Sequence, residues 1–189
     1  MKTKNQKLKA KKQDGFELAR RKHNEECYEL LFMTGAHVVA GRPASGKTSI
    51  AIGLITDCIF TEYPIAYVSL DMEKKSFFER LSKAVPPSYI SKAITSKRFL
   101  YSEEKEVTKL LPYLQSLREN GTKAVIIDFI QLLQVNGKAL DTDSLVAILS
   151  AFALKNQMSI VLLCQWANFS KDVYPFAQTI HILRKETKK

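Results

Sequence analysis

Residues Gly41–Thr48 read G-R-P-A-S-G-K-T, the complete G-x-x-x-x-G-K-[ST] spacing of a phosphate-binding loop. No other stretch restricts the fold so strongly. Such a loop works only between a buried strand and the start of a helix, where backbone N–H groups and the helix dipole converge on an anion. Both flanks are present. Ala36-His37-Val38-Val39-Ala40 is a short apolar run, and Ile50, Ala51, Leu54, Ile55, Cys58 and Ile59 recur at helical spacing. Gly41, Arg42, Pro43, Ala44, Ser45, Gly46, Lys47 and Thr48 are therefore the candidate phosphate-binding residues. Lys47 supplies charge to the terminal phosphates, and the Thr48 hydroxyl is suited to Mg²⁺.

The chain has 189 residues, enough for one domain with a sizeable core. No apolar run reaches the ~18 residues that span a bilayer, and no apolar segment follows the basic N-terminus as a secretory signal requires. Three widely spaced cysteines, Cys27, Cys58 and Cys164, lack metal-ligand spacing. A reducing, cytoplasmic setting is expected. The net charge is +10, which points to a polyanionic partner such as nucleic acid. Much of it is terminal: six lysines lie in the first twelve residues and four cations in Arg184–Lys189. Such ends either hold phosphates without sequence preference or stay solvated.

Along the chain, residues 1–14 read as a basic disordered tail, 15–32 as an amphipathic helix that packs on its own domain or on a neighbouring subunit, and 33–189 as one domain. Expected strands cover 36–40, 65–70, 98–101, 124–128, 159–164 and 179–183. Helices are expected after the glycine loop, at 74–84, at 89–94, after Ser102 and at 142–156. Ser102 reads as an N-cap with Glu103 and Glu104 in the first turn, Pro112 as a kink and Asn120-Gly121 as a stop. Alternating strands and helices, with several strands continuously apolar, predict an α/β fold. Its sheet is mostly parallel and covered by helices on both faces.

In such sheets ligands bind at the C-terminal ends of the strands. Asp128 closes the strand Ala124-Val125-Ile126-Ile127 there, the Walker B position for holding Mg²⁺ opposite Thr48. Asp71 follows Ser69-Leu70 and has two readings: a carboxylate orienting the attacking water, or the cap of the next helix. Gln165 reads as a sensor of the γ-phosphate or as a polar residue at a sheet edge. Trp166 stacks on a base or packs. The three histidines, His23, His37 and His181, suggest no metal site.

Taken in order, these motifs resemble the ATPase domain of the DnaB family of replicative helicases, within the RecA/KaiC-like P-loop NTPases. S-L-D-M at 69–72 is similar to the family's S-L-E-M, and I-D-F-I-Q-L at 127–132 to its I-D-Y-L-Q-L. The segment through Leu163-Cys164-Gln165 resembles the stretch ending in S-Q, and 177–184 its A-D-x-I strand. The likeness covers residues 30–186. It implies a RecA-like core in a ring-shaped homo-oligomer. It further implies ATP–Mg²⁺ hydrolysis at subunit interfaces, movement along single-stranded DNA and a replication partner protein. Carried over residue by residue, Lys47, Asp71 and Gln165 are catalytic, and Thr48 and Asp128 hold the metal. Arg184 and Lys185 are the candidates to stand in for the family's basic trans-acting finger, whose element lies beyond its last matching strand. Lys138 and Lys171 are the cations of the DNA-contacting loops, 131–142 and 166–176.

Two departures shape the expectation. Asp71 is one methylene shorter than the family's glutamate, and the family's N-terminal collar domain is not matched. The resemblance thus supports either a helicase-like ATPase or an ATP-binding accessory protein on the same core with weak hydrolysis and no unwinding.

Overall fold

The computed structural model describes residues 27–165 and 176–183. The described elements are β1 (Gly35–Gly41), α1 (Lys47–Phe60), β2 (Ile65–Ser69), α2 (Lys74–Leu81), α3 (Pro87–Thr95), β3 (Phe99–Ser102), α4 (Val107–Glu119), β4 (Ala124–Asp128), a 3₁₀ turn (Ile130–Leu132), β5 (Gln134–Val135), β6 (Lys138–Ala139), α5 (Thr142–Lys155), β7 (Ser159–Gln165) and β8 (Thr179–Leu183).

Six strands form one sheet in the order β3-β2-β4-β7-β1-β8. Every neighbouring pair in it is parallel. This is the predicted sheet, and its coverage explains the continuous apolar strands. Successive side chains of a strand point to opposite faces. Along β4, Ala124 and Ile126 enter one core cluster with α1, α2 and α3, through Leu54, Phe77 and Ile90. Val125 and Ile127 enter the other with α4 and α5, through Leu110 and Leu149. A strand buried on both faces has no solvent side on which to place polar residues.

Helix starts and stops follow local chemistry. Asp141 caps α5, its carboxylate accepting the Ser144 N–H at 2.8 Å. Gly121 takes φ 92 just past α4, the left-handed turn that suits glycine. The helix runs through Pro112 without ending.

The expected cap at Ser102 is corrected. Ser102 is still paired with Val68 in the sheet, and α4 starts only at Val107 with no acidic residue in its first turn. The ladder to β2 outcompetes an early helix start, leaving Glu103 and Glu104 in the link between strand and helix. The expected helix at 74–84 stops at Leu81. The expected loop around Asn136-Gly137 is a small antiparallel hairpin, Val135 pairing with Lys138.

The central strands carry the core, so Ile126→Ala, at a fully buried position of β4, is expected to lower unfolding free energy by about 2–5 kcal/mol. A urea titration reads this as a lower midpoint with an unchanged slope.

Candidate nucleotide-binding site

Strand register places the candidate residues on one edge. Gly41 lies level with Gln165 across β1 and β7, Asp128 with Leu163 across β4 and β7, and Ser69 with Asp128 across β2 and β4. Neighbouring strands lie ~4.8 Å apart, so the glycine loop, Gln165, Asp128 and the turn carrying Asp71 share a short stretch of sheet edge.

The loop Gly41–Thr48 is built around two left-handed residues, Ala44 at φ 58 and Gly46 at φ 94. Ala44 bears a strain on the order of 1 kcal/mol in that conformation, and the Ser45 N–H closes the turn on the Arg42 carbonyl at 3.1 Å. At Gly41 a Cβ would lie 2.5 Å from Ser45 Oγ and 3.1 Å from Leu183 Cβ, so any side chain there must push both aside. Gly46 is the N-cap of α1 and no side chain caps that end. The opening N–H groups of α1 have no helical acceptor and face the loop. The Ser45 hydroxyl is buried without a hydrogen-bond partner among the described residues.

Lys47 is the buried cation of the site, 7% exposed. Its Nζ donates to the carbonyls of Gly41 at 2.8 Å and Arg42 at 2.9 Å. Burial pulls its pKa below the usual lysine value, against the nearby negative charge of Asp128. Asp128 is 4% exposed, and burial lifts its carboxyl above the usual range. Hydrogen bonds from the Tyr67 and Thr48 hydroxyls and the Lys47 charge oppose that lift, while the Asp71 charge adds to it. The Tyr67 hydroxyl donates to Asp128 Oδ2 at 2.8 Å, and its ring stacks on Phe77 with centroids 4.5 Å apart.

The structure thus gathers Lys47, Thr48, Asp71 and Asp128. It also excludes one reading of Asp71. The N-cap of α2 is Glu73, and no side chain caps that helix. Asp71 is exposed and does not cap α2. Gln165 is half-buried at the end of β7. Beside it, Gln131 donates through Nε2 to Cys164 Sγ at 2.8 Å, with its Oε1 buried and unpartnered among the described residues. Burial pushes the Cys164 thiol up to about 11, keeping it neutral. Lys138 is exposed on the hairpin, away from the loop in sequence. Trp166, Lys171, Arg184 and Lys185 lie outside the described residues, as do the expected tail at 1–14 and most of the expected helix at 15–32. No helix among the described residues is long and apolar enough to cross a membrane.

Sequence reading missed Tyr67 and Gln131. Tyr67 sits in an apolar run, yet a buried tyrosine hydroxyl needs a partner, and two residues before Ser69 its nearest polar target is the end of the adjacent strand.

The available oxygens, a threonine hydroxyl and a carboxylate, are hard donors suited to Mg²⁺ rather than to a soft metal. No group of three or more histidine, cysteine or acidic residues is placed to hold a metal ion by itself among the described residues. An uncapped helix start, an unpartnered Ser45 hydroxyl and a buried lysine likewise fit a phosphate chain.

Parallel sheet and glycine loop together define an α/β domain of the P-loop NTPase class, with a RecA-like arrangement. The comparisons sharpen the class. Residues 32–118 match the family model described as DnaB-like helicase C terminal domain, so the chain carries the likeness that its motifs suggest. A probable plasmid replicative DNA helicase of Chlamydia psittaci is 25% identical over 162 residues, covering 71% of this chain and 35% of that protein. The chain therefore spans about a third of that relative's length. Among solved structures, an isolated ATPase domain superposes with TM-score 0.64 at 16% identity, over 81% of this chain and 70% of that one. A DnaB-like replicative helicase, solved in a study of its interactions with primase, gives 0.63 at 17%, over 80% and 47%. The flagellar accessory protein FlaH of Methanocaldococcus jannaschii gives 0.58 at 16%, over 79% and 72%. These structural likenesses establish the fold.

Gly41→Ala is expected to overpack the loop by about 1–3 kcal/mol and to weaken nucleotide binding about tenfold or more, read by titration with a fluorescent ATP analogue. Asp128→Asn tests the buried carboxylate. A carboxyl whose folded pKa is raised favours folding while protonated, and that contribution is lost as pH rises from the ordinary carboxylate range through the folded value. Ligand-free Asp128→Asn is thus expected to melt above the natural chain at neutral pH, the gap closing as pH falls toward ~4.

Proposed function

We propose that this chain binds ATP with Mg²⁺ at Gly41–Thr48 and hydrolyses it as the motor core of a DnaB-like protein acting on single-stranded DNA in replication. The observation that carries the reading is the meeting of the buried Lys47 and Asp128 with the half-buried Thr48 at the end of β4. Phosphoryl transfer needs placed charge more than a reactive side chain, and this cluster supplies it. Lys47 exchanges its two loop carbonyls for phosphate oxygens. Thr48 and Asp128 hold the metal, Asp71 orients the attacking water, and Gln165 contacts the γ-phosphate from the neighbouring strand end.

In this reading residues 33–189 form the ATPase unit, with 15–32 as a leading helix and 1–14 as a basic tail. The chain assembles with copies of itself in a ring, where Arg184 and Lys185 of one copy reach the next copy's nucleotide. Lys138 and Lys171 contact DNA. The similar helicase studied with primase supports a replication partner of that kind.

The second reading, an ATP-binding accessory protein with little turnover, is favoured by Asp71. Its carboxylate is one methylene shorter than the family's glutamate and sits in water, so it orients an attacking water less well.

ATPase rates with and without oligo(dT), for the natural chain and Lys47→Ala, separate the two. A motor core shows DNA-stimulated hydrolysis that Lys47→Ala abolishes. A natural chain that binds ATP yet turns over no faster than Lys47→Ala is an accessory protein. Asp71→Glu is expected to raise kcat with little change in KM; an unchanged rate removes Asp71 from the chemistry.

A further inference from the structure

The hairpin after the Walker B strand is tied down by one side chain. Its turn residues Asn136 and Gly137 have φ 52 and 72, the two-residue turn that Asn-Gly favours. Their N–H groups point to the same acceptor. Asn136 donates to Glu106 Oε1 at 2.9 Å and Gly137 to Glu106 Oε2 at 3.0 Å. The base of the hairpin is held beside it, Gln134 N–H donating to the Lys105 carbonyl at 2.8 Å.

Glu106 holds the N-cap position of α4 but makes no side-chain cap bond. Its carboxylate accepts from both turn N–H groups and, more weakly, from the Thr108 hydroxyl at 3.3 Å. The backbone bonds, that from Gly137 foremost, keep its carboxyl below the usual glutamate range, so it stays charged. Asn136, Gly137, Lys138, Lys105 and Lys109 are all exposed. A carboxylate bound by two backbone N–H groups among exposed lysines occupies a place that suits a phosphate oxygen equally well.

We propose that Glu106 is the positioning residue of this hairpin: its carboxylate holds the Asn136–Gly137 turn against α4, and a phosphodiester of single-stranded DNA takes its place when the hairpin engages the strand. The inference rests on the reading of this chain as a DNA-acting protein. Lys105 and Lys109 join Lys138 as exposed cations around a turn otherwise poor in them.

The test measures affinity of the full chain, with ATP and Mg²⁺, for fluorescent oligo(dT) in the natural form, Glu106→Gln, Glu106→Asp and Glu104→Gln. With the released hairpin at about a tenth of the population, loss of the clamp raises affinity about tenfold. Glu106→Gln and Glu106→Asp are both expected to bind tighter, the aspartate with no change of net charge, while Glu104→Gln, whose amide oxygen can still accept the Glu106 N–H, stays at the natural value. Structural damage lowers affinity, so a gain reports release. Equal binding by the natural chain and both Glu106 variants overturns the clamp and leaves the DNA reading standing. An equal gain in Glu104→Gln does the same. No binding by any form overturns both.

Discussion

A carboxylate and an ammonium kept out of water together govern the business end of this fold. Asp128 and Lys47 are each less than a tenth exposed, and each partly offsets the other's charge there. Each ion's burial pushes it toward neutrality, and each ion's field pulls the other back. The Tyr67 and Thr48 hydroxyls complete the balance on the acid, and the Gly41 and Arg42 carbonyls on the base. The result is a site whose charges are placed before any ligand arrives.

That balance is possible only because the sheet delivers the two groups from different strands. Lys47 follows β1, Asp128 ends β4, and β7 separates them. Both faces of the sheet are packed, one by α1, α2 and α3 and the other by α4 and α5, so the strands cannot slip without moving apolar side chains into the wrong layer. The register that aligns Ser69, Asp128 and Leu163 is a property of the core, and the site inherits it.

The sheet and the loop were legible in the sequence for one physical reason: strands buried on both sides leave uninterrupted apolar runs, and a carboxylate at the end of such a run stands out. What the runs cannot show is a hydroxyl inside them, so Tyr67 passed as core although its oxygen faces Asp128. Ser102 misled because a serine before two glutamates looks like a helix start, while its pairing with Val68 depends on a strand distant in sequence. The hairpin at Asn136-Gly137 carried the right turn residues, but strands of two residues each have no periodicity to read. Asp71 shows the reverse. Both of its sequence readings stood until the cap position of α2 fell to Glu73.

The edge strand β8 closes the sheet beside the strand that opens it. His37 Nδ1 pairs with the Thr179 hydroxyl across 142 residues of sequence, and its Nε2 with the Met33 carbonyl. Gln178 packs so tightly on Gly35 that a Cβ there would lie 2.2 Å from its Cγ. On the ribosome, β1 and its glycine loop emerge early, but the flank that walls them in arrives only after nearly the whole domain has been made. Until then Leu183 is missing from its place against Gly41. The nascent chain carries an open-edged β1 until β7 and β8 have been made, a window in which a nucleotide already seated on the loop would have something to stabilise.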